Sequence, residues 1–162
     1  MPIIASLLTY LAMGQLYTTS LSENDLVSST GQVSIIKQDI FLDNNCRDTT
    51  RRVSIKLLNS NDNFFLFDNN GDIYESIKQK VIAGDEVSIF HRTLLQSIIG
   101  FGNKFQIFKI EKGRDILYNV DEAKQTFGAV NVFEISVMTA LWFLYFYLRY
   151  IQKLQKQQPH RH

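Results

Sequence analysis

The sequence predicts a mainly β fold: a small OB-like barrel of about six strands with one short helix, flanked by N- and C-terminal transmembrane helices. Three observations predict it. The 162-residue chain is apolar at both ends and polar in between. The polar middle holds six short runs that alternate apolar and polar residues, the period of a half-buried strand. Clusters of Asn, Asp and Gly, which favour turns, separate those runs. A rolled SH3-like sheet satisfies the same pattern and is the alternative.

The pattern divides the chain into a first transmembrane helix (1–20), a β domain (21–126), a second transmembrane helix (127–153) and a basic tail (154–162). From Phe127 to Leu148 there are 22 residues interrupted only by Asn131 and Glu134. At 1.5 Å per residue they reach about 33 Å, enough for a hydrocarbon core of about 30 Å. Trp142, Tyr145, Tyr147 and Tyr150 gather toward one end, as in an interfacial aromatic belt. The apolar N-terminal segment, Pro2 to Tyr17, is shorter. Ala12-Met13-Gly14 gives it the small-x-small look of a signal cleavage site, but no Lys or Arg precedes the apolar run. A retained helix is therefore the favoured reading. Arg149, Lys153, Lys156 and Arg161 follow the second apolar segment, and basic flanks prefer the cytoplasm. This places the protein in the cell inner membrane, with the β domain facing the periplasm or exterior and the tail cytoplasmic.

The six runs are read in order. Gln32–Leu42 sets Val33 and Ile35 on one face. Arg51–Asn59 alternates cleanly, with Val53, Ile55 and Leu57 opposite Ser54 and Lys56. Asn63–Asp68 is apolar on both faces, and Asp85–His91 pairs Val87 with Ile89. Lys104–Glu111 sets Phe105, Ile107 and Lys109 against Phe108 and Ile110, and Arg114–Val120 closes the series. Lys112-Gly113-Arg114-Asp115 reads as a tight hairpin between the last two. One helix interrupts the strands. Asp72 and Glu75 fit a capping box, and Ile73, Ile77 and Val81 follow as a packing stripe ending before Gly84.

Gly31-x-Val33, then Ile82-Ala83-Gly84-Asp85-Glu86-Val87-Ser88-Ile89, then Gly113-Arg114-Asp115-Ile116-Leu117-Tyr118 leading through Asp121-Glu122-Ala123 into an apolar helix, form a recurring arrangement. It resembles a diffuse class of small bacterial membrane proteins with a β domain between transmembrane helices. The resemblance implies that architecture and a bacterial source, and it supplies no catalytic residues.

Charge bounds the function. Between Leu21 and Thr126, 13 Lys and Arg stand against 15 Asp and Glu, a net of −2. A near-neutral domain lacks the footprint that phosphate backbones require, so no nucleic acid is expected as partner. Cys46, the only cysteine, excludes an internal disulfide; Arg47 beside it could make the thiol reactive, against an ordinary loop residue. Asp68, Asn70, Asp72 and Glu75 suggest a calcium loop, but the EF-hand position that needs glycine holds Ile73. His91 could act as a base, yet no Ser or Thr sits in a nucleophile elbow. No catalytic residue, metal or cofactor is expected.

Two stretches are candidates for contact surfaces instead. Leu94, Leu95, Ile98, Ile99 and Phe101 lie in an apolar stretch that does not alternate: either a hydrophobic contact loop or a segment completing the core. Asn131 and Glu134 share a face of the second helix. They could meet Ser6, Tyr10 and Gly14 on the first helix or a helix of another subunit; otherwise Glu134 simply snorkels to the interface. The function expected is a non-enzymatic, membrane-anchored binding or scaffold subunit. Its partners would be the lipid bilayer and another membrane or envelope protein. The alternative is a small-ligand or lipid-sensing membrane protein.

Overall fold

The structure, a computed structural model, describes residues 2–42, 49–58, 60–68, 71–126 and 132–157. Cys46, Asn70 and Asn131 lie outside the described residues. The chain opens with α1 (Pro2–Ser20) and a single 3-10 turn, Glu23–Asp25. The six alternating runs correspond to β1 (Val27–Leu42), β2 (Thr49–Leu57), β3 (Asn63–Phe67), β4 (Glu86–His91), β5 (Ile107–Lys112) and β6 (Asp115–Tyr118). Between them lie α2 (Asp72–Lys80) and α3 (Leu94–Ile99); α4 (Val120–Thr126) and α5 (Val132–Gln157) follow. The one short helix expected within the domain has become three, because the non-alternating stretch from Leu94 is helical and Asp121-Glu122-Ala123 starts a turn of its own.

The strands form one six-stranded sheet in the order β3-β2-β1-β4-β5-β6, with every neighbouring pair antiparallel. β1 is long because it serves two partners. Val27 to Gln32 pair with β4, and Val33 to Leu42 pair with β2. A register shift between Val33 and Ile35 marks the change of partner, and such irregularities bend a strand. The bend rolls the sheet until β3 meets the chain ahead of β5. Phe65 N–H donates to the Phe105 carbonyl (3.0 Å), and Phe65 bridges Gln106 in parallel.

The period-two pattern decides which side chains enter the roll. Val33, Val53, Ile55, Leu57, Phe64 and Leu66 come from one half of the sheet, and Val87, Ile89, Ile107, Phe108 and Ile110 from the other. Ile77 and Val81 of the α2 segment and Ala123 of α4 complete the core. The α2 start is capped differently from expectation. Its N-cap is Gly71 rather than Asp72, and no side chain at that position accepts a bond. The buried Asp68 accepts instead, from the N–H groups of Gly71 (2.8 Å), Ile73 (3.4 Å) and Tyr74 (2.9 Å). A carboxylate from the preceding strand end thus satisfies donors that the helix leaves open.

The expected transmembrane helices are not found: among the described residues no helix is long and apolar enough to cross a membrane. In α1 the aliphatic residues are interleaved with Ser6, Thr9, Gln15, Thr18 and Thr19. α5, as described from Val132, carries Glu134, Arg149 and Lys153 and owes much of its apolar look to Trp and Tyr, which carry polar atoms. The inner-membrane location and the outward-facing domain rested on those spans and fall with them. So does the assignment to a transmembrane class of fold.

Candidate functional site

α3 is a helix of six residues, too short to persist without help, and its start is closed by a reciprocal cap. Thr93 Oγ1 accepts from Gln96 N–H (3.1 Å), and Thr93 N–H donates to Gln96 Oε1 (2.8 Å), a reciprocal capping box. Gln96 Nε2 then donates to the Asp25 carbonyl (2.6 Å), tying α3 to the 3-10 turn. Ser97 is the buried residue of the helix. What remains points outward. Leu94, Leu95 and Ile98 are 65%, 66% and 58% exposed, and Ile99 and Phe101 are exposed as well. The second of the two sequence readings for this stretch, a buried completion of the core, therefore does not describe it.

Phe101 is held in an unusual way. It is the non-glycine residue with positive φ (49°) among the described residues, a region that disfavours bulky side chains. In that conformation its ring stands edge-on to Tyr10 of α1, with centroids 4.2 Å apart. Gly14 lies directly beneath: a Cβ there would collide with the Phe101 ring and approach the Ile99 carbonyl. A cleft of about 170 Å³ opens beside these rings, lined by Leu11, Gln15, Thr18, Gly100 and Phe101. Tyr10 and Gly14, expected to face the last helix, thus face the end of α3. The contact of α1 with α5 runs elsewhere, through Trp142 Nε1–H donating to Thr9 Oγ1 (3.0 Å). Ser6 is exposed, and Glu134 lies in the first turn of α5.

The feature that sequence reasoning missed is Arg92, the largest fully buried side chain among the described residues. Its Nη1 donates to Thr18 Oγ1 (3.2 Å) and its Nη2 to Gln106 Oε1 (3.0 Å), while its guanidinium lies over the Phe108 ring (5.3 Å). Thr18 Oγ1 in turn donates to the Gly100 carbonyl (3.2 Å). One cation thus fastens the end of α1, the loop after α3 and the segment before β5. Burial lowers the Arg92 pKa, and the Tyr17 side chain partly offsets that. Gly102 has room for no side chain, since a Cβ there would run into the guanidinium. An Arg after a strand end carries no sequence signal of burial; the paired glycines 100 and 102 were the only trace.

His91 is occupied by structural bonds. Its Nδ1 faces the carbonyls of Arg92 (3.0 Å) and Lys104 (3.1 Å), which makes Nδ1 the protonated nitrogen. Nε2 then accepts from the Ser29 hydroxyl (2.9 Å). Backbone carbonyls orient this ring where a catalytic histidine is commonly oriented by a carboxylate. Among the described residues no group of three or more His, Cys, Asp or Glu could hold a metal ion. No protein-family model matches the chain, and no curated protein or solved structure matches it.

Proposed function

We propose that this protein is a non-catalytic binding or scaffold subunit whose contact surface is the apolar ridge of α3 and the facing side of α1. One observation carries the reading: Leu94, Leu95, Ile98 and Ile99 of a capped helix, with Phe101 just after it, form a set of exposed apolar side chains. Contiguous apolar surface in contact with water is unfavourable, and natural proteins keep it where a partner covers it. Tyr10 and Leu11 of α1 extend the ridge, and both are exposed. The strained Phe101 backbone supports the same reading, because strain of this kind collects at functional positions.

The partner is a protein. The cleft between α1 and α3 measures about 170 Å³, below the roughly 300 Å³ at which small-molecule sites begin. It accepts one side-chain anchor better than a free ligand. The test is a paired substitution, Leu95→Ser with Ile98→Ser. Both side chains already face water, so the thermal midpoint should hold. Chemical cross-links from α3 to a co-purifying protein should disappear. Loss of folding would make these residues part of the core, and unchanged cross-links would move the interface away from α3.

A further inference from the structure

A second surface, on β1, β2 and β3, has a different chemistry. We infer that the outer face of β1, β2 and β3 binds single-stranded nucleic acid. The registers place three rows across this face: Ile35, Lys56 and Asn63; Lys37, Ser54 and Phe65; Asp39, Arg52 and Phe67. Their strand neighbours Ile55, Val53, Phe64 and Leu66 point into the core, so these rows form the opposite side of the sheet. Phe41, one row further along β1, is exposed.

Three cations and one carboxylate share the face. Asp39 pairs with Lys37 (3.2 Å) and Arg52 (3.4 Å), which leaves the face positive in a domain whose average charge is negative. That average argues against a nucleic-acid partner only if the charges are mixed, and here they are segregated. Aromatic rings alternate with the cations. The Arg52 guanidinium lies over Phe41 (4.8 Å) and Phe65 (5.4 Å), and Phe65 meets Phe67 edge-on at 5.7 Å. Arg52 Nε–H is buried and has no acceptor among the described residues. Beside the rings lies an open cleft of about 350 Å³, lined by Ile35, Lys37, Ser54, Lys56, Asn61 and Asn63. It has an apolar side, two ammonium groups, and amides that can both donate and accept.

This combination matches what an unpaired strand presents: phosphates for Lys37 and Lys56, flat bases for Ile35 and the phenyl rings, and base edges for the amides. An acidic peptide would use the two lysines and leave the rings and amides without a role. The face is separate from α3, so the inference goes beyond the proposed function and does not depend on it.

The test is fluorescence anisotropy of the full chain with labelled 15-mers of dT and rU at rising salt. Binding is expected at low salt, with log K falling against log salt at a slope of about −1.4 for two neutralised phosphates. Lys37→Glu with Lys56→Glu should abolish it, and Phe65→Ser should weaken it at least about fivefold through lost stacking. Thermal midpoints of the same variants show that the fold persists. Leu95→Ser with Ile98→Ser should bind the oligomers as the parent does. No binding at low salt, or binding that survives the lysine reversals, overturns the inference. A poly-glutamate peptide that displaces the oligomers at equal charge concentration also overturns it, and assigns the face to an acidic peptide.

Discussion

Arg92, Asp68 and Phe101 each carry more of the fold than their neighbours, and each does so through contacts distant in sequence. Replacing Arg92 with Met roughly keeps the volume but takes the donor from Gln106 Oε1 in the interior and leaves Thr18 Oγ1 with its bond to the Gly100 carbonyl alone. Stability should drop by about 2–3 kcal/mol in urea unfolding, on the scale of buried groups left without partners. Gly102→Ala should cost about 1–3 kcal/mol by overpacking, since the new methyl meets the guanidinium. That cost should largely vanish when Arg92 is already Ala, a coupling that a double-mutant cycle measures directly. Phe101 offers a cleaner backbone test. With φ at 49°, Phe101→Gly should be more stable than Phe101→Ala by about 1 kcal/mol, although both lose the ring. Equal stabilities would mean that the left-handed backbone is not maintained.

At the scale of elements, α2 and α3 are held by caps of opposite origin. α3 is closed by its own residues, Thr93 and Gln96, and Thr93→Ala should destabilise the protein by about 1 kcal/mol while loosening the apolar ridge. Hydrogen exchange at the Gln96 and Ser97 amides reports both effects. α2 is closed by Asp68, from the end of β3, so Asp68→Ala should unlatch the helix from the sheet. The loss should be about 1–2 kcal/mol, and Asp68→Asn, which keeps an acceptor, should recover part of it. β1 is the element that turns a flat sheet into a roll, because it changes partner in mid-strand. Its outer side then shows Ile35, Lys37 and Asp39 to solvent, and its inner side contributes Val33 to the core.

The molecule as a whole should be most stable over a broad neutral range, with distinct acid and alkaline limits. Asp85 is held below the usual carboxylate range by the Ile82 N–H and by Lys112, which bonds it at 2.6 Å. For Asp39, burial alone would raise the pKa; hydrogen bonds from Lys37 and Ser54, with the charge of Lys37 and the bond from Arg52, outweigh it and lower it. A depressed carboxylate stabilises the folded state above its unfolded pKa of about 3.9, and that stability is lost as pH falls through the lower folded value. Lys109 works in the other direction. Burial lowers its pKa, but Glu111 and Glu23, each at 2.6 Å, outweigh burial and raise it. That contribution is full below about pH 10.4 and is lost as pH rises through the folded value. Thermal midpoints against pH should show both shoulders, with Asp85→Asn flattening the acid one and Lys109→Met the alkaline one.

Period-two alternation is a local signal, and it survived into the structure: Val53, Ile55 and Leu57 point into the core, and Lys56 points away. The stripe of Ile73, Ile77 and Val81 likewise names the buried side of α2. The apolar ridge was visible as a stretch without alternation, although its helical form was not, because Thr93 and Gln96 close a capping box around only six residues. The transmembrane assignment went wrong because it counted a nearly uncharged run of 22 residues from Phe127, and such a count gives Trp142, Tyr145 and Tyr147, whose side chains carry polar atoms, the same weight as Leu or Ile. What only the tertiary structure decided is which distant groups meet. Arg92 reaches Thr18, Asp68 caps the next helix, and Lys37, Arg52 and Phe65 converge on one face while the sequence average stays neutral. Sequence by itself determined which faces of the strands are apolar, since that depends on neighbours two residues apart. The partners of buried charges depend on how the roll closes, and no local pattern encodes that closure.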